Sequence, residues 1–377
     1  MWNIAVIQLF IPHYRIDFFR QLYKQGKKLQ MNITVFCSFP PEISSDFPVQ
    51  VLPRTYLFPN SNGPFWMRGL RRALQGTDII IAPQELICLT IPWLWSIRKS
   101  LARYWIWWGH GFSFTLYPGS SWKAKGKERV RHYMTKRGDG ILTYTQRGAD
   151  FWKRSGMNPE QVIPYFNTID VERLKRTGDA ISHSQCEEIQ ESYHLKDKKI
   201  LLFSGRMYTN KRVDFLLHAF STLKKTTPHV ALLVLGNGPE RPSLEKLREN
   251  LQLDDDVHFL GEIVDPAETA VFFRLADLLV LPGTVGLAIV HGFSFGLPMV
   301  TTDHPFHSPE IEYLLPGVNG VMTPMNEDAY STAIKNILHN PDQLEDMKKA
   351  AKASGDKLLL TDSVQRFLNG ITMISKA

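Results

Sequence analysis

The sequence predicts an α/β protein built from two doubly wound domains. Three observations carry that prediction. The chain has 377 residues, about twice an ordinary domain. Short apolar runs alternate with amphipathic stretches, which is how parallel strands and their covering helices read. The alternation breaks near Tyr165–Glu188 and starts afresh near Lys199.

In the first series the expected strands are Asn3–Leu9, Met31–Cys37, Asp78–Ala82, Tyr104–Trp108 and Gly140–Tyr144. Helices are expected at Tyr14–Gly26, Glu85–Arg98, Trp122–Lys136 and Gln146–Ser155. The Pro-, Ser- and Asn-rich stretch Pro40–Pro64 reads as a long surface loop. In the second series the strands are Lys199–Ser204, Val230–Gly236, Val257–Leu260, Asp277–Leu281 and Met299–Thr301. Apolar residues at 213, 216, 217, 220 and 223 line one face of a helix between the first two. A further helix is expected from about Leu287 to Gly296. The domains are placed at 1–170 and 171–359, with a final helix near Asp362–Ser375. In such paired domains, facing one another across a cleft, ligands sit beyond the carboxyl ends of the strands.

Composition narrows the class. Hydrophobic residues make up 44% and charged residues 21%, the balance of a globular protein. Cys37, Cys88 and Cys186 are few, odd in number and far apart. They fit no disulfide framework or metal-ligand spacing, and they point to a reducing compartment. The start, MWNIAVIQLF, lacks a basic leader and reads as a buried strand. Leu86–Ile97 is about half the roughly 20 residues of a membrane span.

Charge is uneven. Residues 1–175 hold 24 Lys and Arg against 11 Asp and Glu, a net +13, while the remainder nets −6. All nine tryptophans lie between Trp2 and Trp152. Basic charge with Trp suits a nucleic acid, a membrane surface or an anionic lipid-linked substrate. No nucleic-acid recognition motif accompanies it, so no nucleic-acid partner is expected. The first strand is not followed by G-x-G-x-x-G, which argues against a dinucleotide oxidoreductase.

The residues that follow each strand carry the candidate chemistry. Gly205, Arg206 and Lys211 follow Lys199–Ser204. Glycine permits close backbone approach, and two cations at a helix start await an anion such as a diphosphate. Gly236 and Gly261 follow the next two strands. His291, His304 and His307 lack metal-ligand spacing and a carboxylate cluster, so neither a metal nor another cofactor is expected.

Five successive segments resemble the donor domain of glycosyltransferase family four, a retaining family of the GT-B fold. They are SGRMYTNKRVDFLLHAF, LLVLGNGPE, VHFLGEI, ADLLVLPGTVGLAIVHGFSFGLPMVTTD and PEIEYLLPGVNG. The resemblance implies GT-B, two Rossmann-like domains with the C-terminal helix 360–377 crossing back to complete the first, and metal-independent retaining transfer of a sugar from a UDP-, GDP- or dTDP-linked donor. It implies that Arg206 and Lys211 hold the diphosphate and that Gly261 borders the base. Val285, Gly286 and Leu287 would face phosphates and sugar, with Glu310 in a loop near the donor. The family's two glutamates, eight positions apart, are replaced here by Gly283 and His291. His291 either hydrogen-bonds a ribose hydroxyl or is a packed helical histidine.

The first half resembles the family more loosely. In IPHYRIDFFRQL, His13, Tyr14 and Arg15 occupy the turn after the first strand. Arg15 either meets an anionic acceptor or donor phosphate or lies on the surface. In YWIWWGHGF, His110 follows a strand, and the resemblance places it near the transferred sugar. The basic segment Lys123–Arg137 is either a solvated face or a dock for an anionic membrane. The resemblance further implies a cytoplasmic enzyme, with or without attachment to the inner face of the membrane. Its acceptor would be a growing, lipid-linked bacterial surface polysaccharide such as lipopolysaccharide or capsule. The alternative is a non-catalytic sugar-nucleotide-binding partner in a glycan-assembly complex.

Overall fold

The computed structural model describes residues 1–376 except 41–44, 59–62, 112–120 and 264. The chain falls into two compact units, Met1–Ile169 joined by the segment from Leu360 onward, and Asp170–Leu359.

In unit 1 the chain runs β1 (Trp2–Ile7), α1 (Ile16–Lys28), β2 (Met31–Cys37), β3 (Val49–Val51), β4 (Arg54–Tyr56), β5 (Phe65–Met67), α2 (Leu70–Ala73) and β6 (Ile79–Pro83). Then follow α3 (Thr90–Ser96), β7 (Tyr104–Gly109), α4 (Trp122–Lys136), β8 (Gly140–Thr143), α5 (Gln146–Arg154) and β9 (Val162–Pro164). The main sheet has the order β3-β2-β1-β6-β7-β8-β9, and its pairs are parallel. β4 and β5 form a separate antiparallel pair.

Period-2 alternation loads both faces of this sheet. On one side Ile4, Val6, Ile106 and Trp108 pack with Phe18, Phe19 and Leu22 of α1. On the other, Ala5, Ile7, Trp105 and Trp107 pack with Leu70, Ile91, Leu94 and Trp152. Trp105, Trp107, Trp108 and Trp152 are thus core, while Trp66, Trp93 and Trp122 are exposed.

In unit 2 the chain runs α6 (Val171–Asp179), α7 (His183–Ser192), β10 (Lys199–Ser204), α8 (Val213–Lys224), β11 (Val230–Leu235), α9 (Arg241–Asn250), β12 (Val257–Gly261), α10 (Pro266–Leu275) and β13 (Leu278–Leu281). It closes with α11 (Ala288–Ser294), β14 (Met299–Thr302), β15 (Gly320–Thr323), α12 (Glu327–Leu338) and α13 (Pro341–Asp356). The sheet order is β12-β11-β10-β13-β14-β15, again parallel. By position this is 3-2-1-4-5-6, the Rossmann order, with the reversal between β10 and β13. Ile200–Phe203 and Val230–Val234 are at most 2% exposed. Strands buried on both faces read as the continuous apolar runs seen in the sequence.

The last helix, α14 (Leu360–Ile374), lies with unit 1. Its Val364, Phe367, Leu368 and Ile371 enter the core beside Phe18 and Trp108, and the Phe367 ring stands 5.0 Å from that of Trp108.

Two local expectations are corrected, and the break between the two series gains its own structure. The helix expected at Glu85–Arg98 is only Thr90–Ser96, with a 3-10 turn at Arg98–Ser100. Leu89 N–H instead donates to Phe65 O, and Phe65 N–H to Ile87 O, so residues 87–89 run beside β5. The described part of Pro40–Pro64 holds β3 and β4 rather than loop alone. The break at 165–188 is largely helical, and Ser182 and Gln185 form a reciprocal capping box at the start of α7.

Candidate functional site

In unit 2 the predicted residues collect where β10, β11 and β13 end. Gly205 N–H donates to Leu235 O, and Gly236 N–H donates to Gly261 O, so Gly205, Gly236 and Gly261 sit in one stitched layer. Gly236 has φ +125°, and a Cβ there would overlap the Gly205 carbonyl oxygen. Only glycine tolerates both conditions. The chain then turns through Thr209–Lys211, and Arg212, in the left-handed region at φ +53°, leads into α8. Arg212 is held there by Asp214.

The turn is tied to the loop after β13. Thr284 N–H donates to Asn210 O at 2.8 Å. Lys211 Nζ donates to Thr284 O at 2.5 Å. Burial lowers the Lys211 pKa, and the charge of Glu310 acts in the opposite direction. Glu310 is 3% exposed, in the 3-10 turn Pro309–Tyr313. Arg206 is exposed, and its side chain makes no hydrogen bond or ion pair among the described residues.

Val285, Gly286 and Leu287 lead into α11, and His307 braces them. His307 Nδ1 accepts from Val285 N–H at 3.1 Å, and Nε2 lies 2.8 Å from Thr302 O. That pair fixes the Nε2–H tautomer, because Nδ1 must accept while Nε2 donates. Ser308 N–H returns to Val285 O at 2.8 Å. Burial lowers the His307 pKa, which keeps the brace neutral. The sequence did not assign this role; a histidine two residues before a Pro-Glu pair gives no local signal for it.

His291 is packed rather than offered. Its ring stacks on Phe273 at 4.1 Å and 17°. Nε2 is enclosed with no hydrogen-bond partner among the described residues. Burial alone lowers its pKa to about 4. The stacking and the enclosed Nε2 favour the packed helical histidine of the two readings.

In unit 1 a second group gathers at the carboxyl ends of β1, β7 and β8. Arg15, in the 3-10 turn His13–Arg15, is 7% exposed, which removes the reading of Arg15 as a surface residue. Its Nη2 donates to the Tyr144 hydroxyl at 2.5 Å. Its guanidinium lies over Trp108 at 4.8 Å and Tyr144 at 5.1 Å. Burial opposes the Arg15 charge, but Tyr144, Tyr165 and Tyr14 outweigh it and the pKa is raised. No carboxylate meets it among the described residues. Tyr14 is exposed, and His13 packs edge-on against it at 5.6 Å.

His110 directly follows β7, with its ring 4.4 Å from that of Tyr144. It is exposed as a residue. Desolvation by its surroundings, then the charges of Arg15 and Arg131, still lowers its pKa to about 4. The field at this strand end is thus positive. Arg131 is paired with Glu128 and donates to Gln84 Oε1 at 3.1 Å.

Chemically, unit 2 offers an exposed cation, a neutral-histidine-braced loop and a half-buried ammonium, arranged over close-packed glycines at a Rossmann strand reversal. Glycine backbone and cations at such a strand reversal have the chemistry to receive an anionic oxygen group.

Comparison with known proteins specifies the class. Residues 185–354 match the family described as Glycosyl transferases group 1, so this part of the chain is similar to that family. The chain is 26% identical over 248 residues to alpha-D-kanosaminyltransferase of Streptomyces kanamyceticus, covering 62% of each. It is 29% identical over 173 residues to alpha-monoglucosyldiacylglycerol synthase of Streptococcus pneumoniae, covering 45% of this chain and 38% of that one. The matches thus span less than two thirds of these relatives. Among solved structures, HepE of Anabaena in complex with UDP superposes with TM-score 0.74 at 16% identity, over 99% of this chain and 100% of that one. A glycosyltransferase of Rickettsia africae gives TM-score 0.72 at 14% identity, over 100% and 99%. The fold is GT-B.

Proposed function

We propose that the protein is a retaining, metal-independent glycosyltransferase that moves a sugar from a nucleotide-sugar donor to a hydroxyl of a growing, lipid-linked surface polysaccharide. The observation that carries this reading is the set past β10: Arg206 exposed and unengaged, with Lys211 held over the close-packed turn by Thr284 O. A diphosphate supplies the charge that this pair lacks. HepE was crystallised with UDP and with UDP-glucose, which supports a nucleotide-sugar donor here.

In the reaction, negative charge grows on the departing diphosphate. Arg206, Lys211 and the backbone at Val285–Leu287 stabilise it, and such preorganised electrostatics are usually the largest catalytic term. The acceptor hydroxyl attacks the resulting oxocarbenium-like sugar from the face the diphosphate leaves. His110 orients the sugar or shares the proton, and at pKa about 4 it is neutral at pH 7 and able to accept. The charge of Glu310 favours the protonated form of Lys211, against the effect of burial.

No helix of the described residues is long and apolar enough to cross a membrane. We assign the enzyme to the cytoplasm, with α4 as a dock on anionic lipid. Trp122 is 79% exposed and Tyr133 52% exposed on this lysine-rich helix, an arrangement suited to a membrane interface.

A thermal-shift panel of UDP-, GDP- and dTDP-sugars tests the donor. A ligand at 100 times its dissociation constant adds about 2.7 kcal/mol. Transfer with the stabilising donor is then followed with and without EDTA, and the product anomer is read by NMR. An inverted anomer or loss of rate in EDTA overturns the mechanism. Binding without turnover on any membrane-extracted acceptor favours instead a non-catalytic sugar-nucleotide-binding partner, the alternative that the missing carboxylates at Gly283 and His291 keep open.

A further inference from the structure

Arg15 presents an unbalanced charge. It is 7% exposed, and a buried cation is normally paired because desolvation costs several kcal/mol otherwise. Here its side-chain partners are aromatic: the Tyr144 hydroxyl and the faces of Trp108 and Tyr144. A guanidinium has five N–H donors, and a single side-chain hydrogen bond, to Tyr144, uses one of them. The remaining side-chain donors have no hydrogen-bond partner among the described residues.

Among the described residues no carboxylate is bonded to it. Of the nearby carboxylates, Glu128 is engaged by Arg131, and Glu85 is exposed and interacts electrostatically with Arg131. Residues 47–138 contain fourteen Lys and Arg but three Asp and Glu. His110 and Arg15 flank the same ring, Tyr144. The guanidinium geometry suits bidentate capture of a planar or tetrahedral oxyanion.

We propose that the carboxyl end of the unit 1 sheet is an oxyanion subsite centred on Arg15, and that the acceptor sugar carries a phosphate or carboxylate that seats there. This rests on the glycosyltransferase reading, in which unit 1 receives the acceptor. The anion supplies the countercharge that the fold omits, so acidic acceptors are selected over neutral ones. Arg131 and the Tyr144 hydroxyl border the seat.

The test titrates the full chain with glucose 6-phosphate, glucuronate, glucose and UDP by calorimetry, in wild type, Arg15→Gln, Arg15→Lys and Tyr144→Phe. At least one of the two anionic sugars binds while glucose does not, and the tighter one identifies the group. Arg15→Gln weakens that binding by about thirtyfold or more, the usual effect of removing one partner of a buried charge pair. Arg15→Lys falls between, and UDP affinity changes by less than about threefold. Equal binding of glucose, or unchanged anion binding in a folded Arg15→Gln protein, overturns the proposal. So does a loss in Arg15→Gln that follows UDP instead of the sugar anions, which would give Arg15 to the donor. If wild type binds the anionic sugar but no nucleotide, the subsite stands and the donor reading falls. Should Arg15→Gln unfold, NMR of the His110 ring in wild type decides. Seating the anion raises its pKa, and an unmoved titration sinks the idea.

Discussion

A Cβ added at Gly283 would overlap the carbonyl oxygen of Asn210 and lie 2.6 Å from that of Lys211. The loop after β13 and the cationic turn after β10 are therefore packed backbone to backbone, and the Thr284–Asn210 hydrogen bond closes the contact. The position that carries a glutamate in the family pattern is here filled by the neighbouring turn. Gly283→Ala is expected to cost about 1–3 kcal/mol of stability, as overpacking does. It should also displace Lys211 and weaken donor binding. Denaturant unfolding beside a nucleotide titration checks both, and a Gly283→Glu protein with full stability and affinity would refute the packing account.

Removing the Lys211 ammonium should affect chemistry more than folding. Among the described residues its ammonium donates one hydrogen bond, to Thr284 O, and its pKa is already depressed by burial. Lys211→Ala should lower transfer by roughly 10²–10³-fold, the scale for one lost charge-stabilising donor. The unfolding midpoint should change little. Near-normal turnover would remove Lys211 from the mechanism.

The His307 brace makes a different pattern. His307→Ala leaves Val285 N–H and Thr302 O without their partner in a buried place, which costs about 1–3 kcal/mol for each orphaned group. Donor affinity should fall together with stability. His307→Asn, which can satisfy one of the two, should recover part of both losses in the same assays.

His291 gives the pH dependence. Its folded pKa is about 4, below the unfolded value near 6.5. The unfolded chain therefore binds more protons between those values. Stability contributed by neutral His291 is fully present above about pH 6.5 and is lost as pH falls toward 4. The loss reaches up to about 3 kcal/mol. Other histidines share the window, so the measured quantity is the difference between wild type and His291→Phe in urea midpoints at pH 7 and pH 4.5. Identical slopes would show that the ring is not held neutral.

Truncation before Leu360 should unfold unit 1, because α14 supplies Val364, Phe367, Leu368 and Ile371 to its core. Phe367→Ala alone is expected to cost about 3–5 kcal/mol, read from chemical denaturation. A truncated chain with an intact near-ultraviolet spectrum would contradict the assignment of this helix.

Where strands are buried on both faces, the chain states its structure openly. Lys199–Ser204 and Met31–Cys37 have the bounds that the apolar runs alone predict. The amphipathic period likewise locates the helix Val213–Lys224, and glycines and cations directly past a strand mark Gly205, Arg206 and Lys211. These signals are local, because strand burial, helix period and turn chemistry act over a few residues.

The tertiary structure decided the rest. Only packing made Glu85–Arg98 a short helix, since residues 87–89 pair with Phe65 instead. Only packing set His291 against Phe273 and turned His307 into a brace through Val285 and Thr302. Arg15 became a buried, uncompensated cation because Tyr144 and Trp108, 129 and 93 positions away in sequence, close around it. Such pairings join distant segments, and burial and charge balance exist only once those segments meet.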